Sequence, residues 1–288
     1  MSSDLGVVRT EDSFDIQAVH SWLVENAHTP HDLPTVQQYR AGASNLTYLL
    51  TYKDCELILR RPPVGTKAAS AHDMKREFLI QKRLLPNFPL VPKVIALCED
   101  PLILGSDFYV MQRIEGVILR RDLPPDISLS TEEITTIGNL VIDGLVSLHH
   151  VDSTSLAQLS KGPGYVGRQV EGWSKRYRNA RTPDVARAED LMRWLEQNQT
   201  QDVASCVIHG DWRLDNIVFN LDEHPTLVGV LDWELATIGD PLMDLGSSMA
   251  YWIDHTDEAA FAALRRQPSN LPGMPTRKEF IDRYLAIS

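Results

Sequence analysis

The sequence predicts an α+β protein of two lobes: a small β-rich N-terminal lobe with one central helix at residues 1–115, and a larger, mostly helical C-terminal lobe at residues 116–288. Three observations predict it. From Thr35 to Gln112 short strand-like runs dominate, and the 3.6-residue helical period interrupts them once, at residues 72–85. Beyond Ser130 the helical period takes over. Between the two regimes lies Arg113-Ile-Glu-Gly116, a short polar stretch ending in glycine that reads as a hinge.

The elements follow in chain order. Residues 10–29 carry Ile16, Val19, Trp22, Leu23 and Ala27 at helical spacing. Strands are expected at 36–39, 45–53 and 56–61, with a turn at Gly42-Ala-Ser-Asn45 and a tight hairpin at Lys53-Asp54. Met74, Phe78, Ile80 and Leu84 mark the helix at 72–85, and 94–97 and 108–112 are short apolar strands. Ser130-Thr-Glu-Glu133 has the pattern of a capping box and opens a helix through Leu140, Ile142, Leu145 and Leu148. Helices near 169–179 and 183–197 precede two β segments, 203–209 and 227–231.

Composition narrows the function classes. Against 28 Lys and Arg stand 39 Asp and Glu, a net charge of −11. A protein that tracks a nucleic-acid backbone needs the opposite balance, so no nucleic-acid partner is expected. No run of about 18 apolar residues occurs, and the N-terminus lacks a basic stretch followed by an apolar one. Neither a membrane span nor a leader is therefore expected, and the cytoplasm is the expected compartment. Cys55, Cys98 and Cys206 form no CxxC pair and read as small buried side chains, with no disulfide framework or zinc site indicated. Oligomeric state leaves no trace in these features.

The densest chemistry lies in Val207-Ile-His-Gly-Asp-Trp-Arg-Leu-Asp-Asn-Ile-Val-Phe219. Two apolar runs flank a polar loop holding His209, Asp211, Arg213, Asp215 and Asn216, the arrangement by which a scaffold positions catalytic groups. Val230-Leu-Asp-Trp-Glu234 and Gly239-Asp-Pro-Leu-Met-Asp-Leu245 follow. Carboxylate and amide oxygens are the ligands magnesium prefers, usually beside substrate phosphates. Carboxylate clusters of this kind also build two-metal sites, which leaves a metal-dependent phosphohydrolase open.

In combination the spacing is specific. His209-x-Asp211, then Asn216, then Asp232 16 positions later at the end of an apolar strand, resembles the catalytic core of protein-kinase-like enzymes. The His-Gly-Asp form and the later Gly239-Asp-Pro resemble the aminoglycoside phosphotransferase and choline-kinase branch. Arg40-Ala-Gly-Ala-Ser-Asn-Leu-Thr-Tyr48 looks like that superfamily's nucleotide-covering hairpin, where small residues let backbone N–H groups approach phosphate oxygens. Tyr109-Val-Met-Gln-Arg-Ile-Glu-Gly116 resembles its hinge. Leu59-Arg-Arg-Pro-Pro-Val-Gly65, Arg168-Gln-Val-Glu-Gly-Trp173 and Asp232-Trp-Glu-Leu-Ala-Thr-Ile-Gly-Asp-Pro241 are closest to kinase-like domains related to those fused to acyl-CoA dehydrogenases.

The resemblance implies a bilobal protein-kinase-like fold and a phosphotransferase that uses ATP and Mg2+ to phosphorylate a hydroxyl of a small molecule, with a hydroxyacyl thioester or hydroxy acid favoured. Carried over residue by residue, it gives Asp211 the acceptor hydroxyl and Arg213 the transferred phosphoryl group. Asn216 and Asp232 would hold magnesium. Gly42, Ser44 and Asn45 would cover the phosphates, and Arg60, braced by Glu77, would hold the inner ones. Met111 would line the adenine pocket, with backbone at Gln112 and Ile114 pairing with the base. His209 is expected to brace its loop, Asp240 and Asp244 to fix the large lobe, and Glu234 to support the metal.

Two departures stand out. Arg60-Arg61 occupies the place where the superfamily usually has a phosphate-binding lysine, with Lys67 as a further candidate cation. That leaves a catalytically weak, nucleotide-binding pseudokinase as an alternative. The chain also stops at Ser288, short of the further helices the resemblance implies, which leaves the completeness of the acceptor site open.

Overall fold

A computed structural model describes residues 4–40, 45–63 and 73–288. In chain order the first elements are β1 (Leu5–Gly6), α1 (Ile16–Ala27), β2 (Thr35–Tyr39), β3 (Leu46–Thr51), β4 (Glu56–Arg61), α2 (Met74–Leu84), β5 (Val94–Cys98), α3 (Pro101–Leu104), β6 (Phe108–Gln112) and β7 (Val117–Ile118). Then come α4 (Thr131–His149), α5 (Tyr165–Ala180), α6 (Glu189–Asn198), β8 (Cys206–Ile208), β9 (Ile217–Asn220), β10 (Thr226–Val230), β11 (Thr237–Gly239), α7 (Pro241–Tyr251), α8 (Ala259–Ala263) and α9 (Arg277–Ile287). Two compact units result: Met1–Ile118 with Ile217–Glu234, and Leu119–Asn216 with Leu235–Ser288. The division differs from a single cut after residue 115. The hairpin β9–β10 joins the first unit because β7 pairs antiparallel with β9.

In the first unit, β1-β2-β3-β4-β6-β5 form an antiparallel sheet. Side chains on a strand alternate between faces. Tyr48, Leu50, Leu57, Leu59, Phe108 and Val110 pack on one face with Val19 and Leu23 of α1. Leu49, Ile58, Tyr109 and Met111 pack on the other with Met74 and Phe78 of α2. The same alternation sends Arg60 to the α2 side and Arg61 to the α1 side. There Arg61 donates to the Tyr48 hydroxyl and the Asp12 carbonyl and lies over the Phe14 ring.

Local chemistry sets the helix starts. Asp15 accepts the Gln17 and Ala18 N–H groups, so α1 begins at Ile16 and residues 10–12 form a separate turn, where the sequence suggested one helix from residue 10. Asp73 caps α2 through Arg76 N–H. At the hinge, Gly116 has φ +147°, and a Cβ there would stand 2.5 Å from the Phe219 carbonyl oxygen. Only glycine lets residues 116–118 close onto β9.

In the second unit, α4 opens on the expected capping box, with Ser130 and Glu133 each bonding the other's backbone. α9 lies along α4, tied by Arg283 to Asp143. β8 pairs antiparallel with the three-residue β11, which limits the expected 203–209 segment to 206–208. The helix expected at 183–197 begins at Glu189, because the Arg181 guanidinium takes the Thr182 and Val185 carbonyls that an earlier start would need. No helix among the described residues is long and apolar enough to cross a membrane.

α5 has no cap of its own, since Gly164 precedes it. Asp202 supplies one from outside, its carboxylate accepting the N–H groups of Gly164, Tyr165 and Val166 at 2.6, 2.8 and 2.9 Å. The Val166 and Tyr165 N–H groups hold the Asp202 carboxyl below its ordinary range. Its stabilising effect is therefore full above the unfolded-state pKa, about 3.9, and is lost as pH falls through the lower folded value. Asp202→Ala should cost about 1 kcal/mol at neutral pH. Urea unfolding across pH checks this: the difference from wild type should shrink in acid, and equal stability at pH 7 would remove the cap's importance.

Candidate active site

The chemically distinctive residues form one cluster in each unit. In the first, Arg60 Nη2 donates to Asp232 Oδ1 at 2.8 Å, and Nη1 lies 3.6 Å from Glu77 Oε1. Glu77 stands in the first turn of α2 and is 1% exposed. Burial raises its carboxyl to about 7, with Arg60 the main opposing influence. For Arg60 burial works against the charge, but Glu77, Tyr109 and Asp232 outweigh it and hold the guanidinium well above its ordinary pKa. Among the described residues, neither Glu77 oxygen receives a hydrogen bond within normal geometric limits and Arg60 Nε makes none. Buried polar atoms normally find partners, so Arg60 keeps an N–H suited to an anionic oxygen.

Asp232 follows β10 with φ +64°, a left-handed conformation uncommon outside glycine. Trp233 holds the turn: it is fully buried, packs on Phe88 and donates Nε1–H to the Val230 carbonyl at 2.8 Å. Glu234 is clasped twice. Its carboxylate accepts from Asn45 Nδ2 at 2.8 Å, and its carbonyl accepts from Arg76 Nη1 at 2.8 Å.

Along the hinge, Met111 is buried in the α2-side core and Gln112 is exposed. The Gln112 N–H is committed to the Lys93 carbonyl at 2.9 Å. Ile114 packs over Gly229, where a Cβ would meet its Cδ1 at 2.4 Å. Gly42, Ser44 and Lys67 lie outside the described residues.

In the second unit, β8 leads into the loop from His209 to Asn216. Trp212 anchors it by burying its indole and donating Nε1–H to the Val141 carbonyl, and Leu214 N–H donates to Gln267 Oε1. Asp211 Oδ2 accepts from Asn216 Nδ2 at 2.9 Å and from Arg213 Nη2 at 3.2 Å. Asn216 Nδ2 also donates to the Asp211 carbonyl, so the amide's nitrogen side is used and its oxygen is turned away from Asp211. Arg213 Nε faces Asp211 Oδ1 at 2.9 Å without hydrogen-bond alignment. The Arg213 guanidinium also pairs with Asp215 and stacks over Tyr251, 4.5 Å from its centroid. Burial raises the Asp215 carboxyl, with Arg213 opposing.

His209 is fully buried, and its Nδ1 accepts the Asp211 N–H at 3.2 Å. Asp240 caps α7 through Leu242 N–H and takes Val203 N–H as well. Asp244 accepts the N–H groups of His209 and Gly210. Sequence reasoning missed Arg76, Tyr251 and Gln267. None belongs to a motif, and each reaches the site from a distant part of its own unit.

A model of the phosphotransferase enzyme family matches residues 35–280. Acyl-CoA dehydrogenase family member 10 of Mus musculus is 38% identical over 251 residues, covering 86% of this chain and 23% of that protein. Acyl-CoA dehydrogenase family member 11 of Homo sapiens is 37% identical over 292 residues, covering 98% and 36%. The chain thus spans between 23% and 36% of the length of these relatives. Among solved structures, a Ralstonia eutropha JMP134 protein assigned to the aminoglycoside phosphotransferases superposes with TM-score 0.77 at 29% identity, covering 96% of this chain and 80% of that one. A ternary complex of aminoglycoside phosphotransferase APH(4)-Ia with AMP-PNP and hygromycin B gives TM-score 0.55 at 17% identity, covering 82% and 77%. The α+β fold expected from the sequence is the fold these structures share.

Proposed function

The chain belongs to the phosphotransferase enzyme family, and on that premise we propose that it moves the γ-phosphoryl group of ATP to a hydroxyl of a small molecule, with magnesium as cofactor. The observation that carries this reading is the Asp211 carboxylate. Its Oδ2 is held by Asn216 and Arg213, while Oδ1 receives no hydrogen bond among the described residues. An ionised carboxylate has about four lone-pair sites. Asp211 can therefore accept the acceptor hydroxyl at Oδ1 without losing its orientation, and take the proton as the new O–P bond forms. Phosphoryl transfer asks a protein mainly for such positioning and for compensating charge.

The remaining residues divide that work. Arg213 places positive charge beside the transferred group. Arg60, braced by Glu77, would hold the inner phosphates. Asn216 and Asp232 suit magnesium: one offers an amide oxygen whose nitrogen is already engaged, the other a carboxylate whose side chain is 29% exposed. When bound, the metal supplies positive charge against the phosphate oxygens. At the hinge, the Gln112 carbonyl and the Ile114 N–H would meet adenine, since the Gln112 N–H is committed to Lys93. Gly42 and Ser44 would cover the phosphates, and Asn45 would anchor that hairpin through Glu234.

The acceptor class favoured is a hydroxyacyl thioester or hydroxy acid. Its support is the naming of the relatives as acyl-CoA dehydrogenase family members at 35–38% identity. Hygromycin B belongs to a fold relative at 17%. Thermal unfolding with MgATP, against ATP plus chelator, tests nucleotide use: at 100-fold excess over Kd, binding should add about 2.7 kcal/mol. ADP formation across hydroxylated acyl thioesters and hydroxy acids then identifies the acceptor. No shift with any nucleotide at saturating concentration would sink the reading.

A further inference from the structure

Two of the six tryptophans have no place in either core. Trp212, Trp233 and Trp252 are buried, whereas Trp173 of α5 and Trp194 of α6 are 62% and 58% exposed. Both belong to a helical hairpin of the second unit. Arg178 of α5 bridges Glu189 of α6, and the Tyr177 hydroxyl donates to the Ala186 carbonyl, so the two helices lie side by side and antiparallel. Among the described residues of these helices, Val166 and Met192 alone are buried. Residues three and four apart are neighbours on a helix. Trp173, Arg176 and Ala180 therefore line up on α5, and Leu191, Trp194 and Leu195 on α6. Between them lies an open groove walled by Trp173, Tyr177, Ala188, Leu191 and Met192. A contiguous apolar face of this kind marks an interaction site.

Charge says what covers it. α5 carries Arg168, Lys175, Arg176 and Arg178 against Glu171, and α6 carries Glu189, Asp190 and Glu196 against Arg193. One helix is basic and its neighbour acidic. An anionic surface would be drawn to α5 and repelled by α6. A second copy of the hairpin suits both, because a two-fold contact is self-complementary. With the axis parallel to the helices, each basic helix covers the acidic helix of the other copy. With the axis across them, α5 would lie on α5 and α6 on α6, like charge upon like.

The hairpin also sets the register. Arg178 is level with Glu189, so five residues back along α5 and five on along α6 Trp173 is level with Trp194. By the same step Arg176 is level with Leu191, beside Asp190, whose side chain is 97% exposed and pairs with Arg193 of its own helix. A two-fold parallel to the helices keeps every level. Trp173 of one copy then faces Trp194 of the other, and Arg176 faces Asp190. The Arg176 guanidinium is held over the Trp173 ring, 4.0 Å from its centroid.

We propose that a second copy of this chain covers this face, two hairpins packing as a four-helix bundle with α5 of each on α6 of the other. At about 1.5 Å per residue α5 is about 24 Å long, and two helices about 10 Å apart are roughly 20 Å wide, so each copy buries about 500 Å². A total of about 1,000 Å² suits a reversible dimer rather than an obligate one.

Sedimentation velocity of the intact chain from low to high micromolar concentration tests this, with circular dichroism as the check on folding. Wild type should pass from monomer to dimer across the series. Trp194→Ser should raise the dimer Kd by about thirtyfold or more, the loss for a central tryptophan anchor. Arg176→Asp and Asp190→Arg should each raise it about tenfold or more, since like charges then meet twice. Combining the two should return Kd to within about threefold of wild type, because each reversed charge again meets its opposite. A wild-type chain that stays monomeric at the highest concentration would overturn the proposal and give the face to a different partner. So would a dimer that persists unchanged in Trp194→Ser and in both single swaps, because another surface would then join the copies. Single swaps that weaken the dimer with no rescue in the combined variant would overturn the crossed arrangement. If Trp194→Ser does not fold, the three charge variants decide alone.

Discussion

Arg60→Ala is expected to lower MgATP affinity about a hundredfold and to reduce turnover with it. The guanidinium is the only cation the structure sets between Glu77 and Asp232 among the described residues. Its removal takes away the main charge that opposes the burial of the Glu77 carboxylate, which is 1% exposed. Truncating one partner of a buried charge contact between protein and ligand costs about 2–5 kcal/mol, and each 1.4 kcal/mol is about tenfold in affinity. Glu77→Ala should lose less, and the double variant should be clearly non-additive, because the two residues form one charge unit. Arg60→Lys separates charge from geometry: an ammonium cannot reach Glu77 and Asp232 as a planar fork does. Arg61→Ala is the control. Arg61 faces Tyr48, Phe14 and the Asp12 carbonyl on the opposite side of the sheet, so its loss should lower stability and leave MgATP affinity intact. Isothermal titration with MgATP beside urea unfolding reads both quantities. Wild-type affinity in Arg60→Ala would move the phosphate cation elsewhere in the chain.

The second large effect falls on chemistry rather than binding. Asp211→Asn should reduce kcat by about 10²–10⁴ while leaving MgATP binding unchanged, the range for losing a positioned general base. Asparagine keeps the shape and an oxygen for the Asn216 and Arg213 hydrogen bonds, so the loop should stay in place. What disappears is the basic oxygen for the acceptor proton. Asp232→Asn should do the reverse, weakening nucleotide binding in magnesium and changing it little in chelator. Single-turnover rates and nucleotide titrations for both variants settle the matter. Equal loss of nucleotide affinity in the two would show that their roles are wrongly divided.

Much of this was legible in the chain alone, for reasons of distance. His209, Asp211, Arg213 and Asn216 lie within eight consecutive residues of one loop, so their grouping needs no tertiary information. The strands β2 to β4 and the helices α2 and α4 carry periods of two and 3.6, and Ser130 with Glu133 announces its own cap. Where side chains from elsewhere intervene, the reading slips. Arg181 delays α6 to Glu189 by taking two carbonyls, and Asp202 caps α5 from beyond α6.

By itself the sequence determined the α+β class, the loop of Asp211 and Asn216, and the family, since short periods and close spacings are local properties of a chain. The resemblance already paired Arg60 with Glu77, and the tertiary structure supplied the physical reason that Arg60 and not Arg61 lies there. Alternation guarantees that Arg60 and Arg61 face opposite ways, but which face holds α2 depends on how six strands and two helices pack. Only tertiary structure joined Tyr284, His149 and Asp244 to the loop, across 135 and 95 residues of chain. Contacts of that span form because burial leaves each polar group with no water to turn to, and so with no partner but the others.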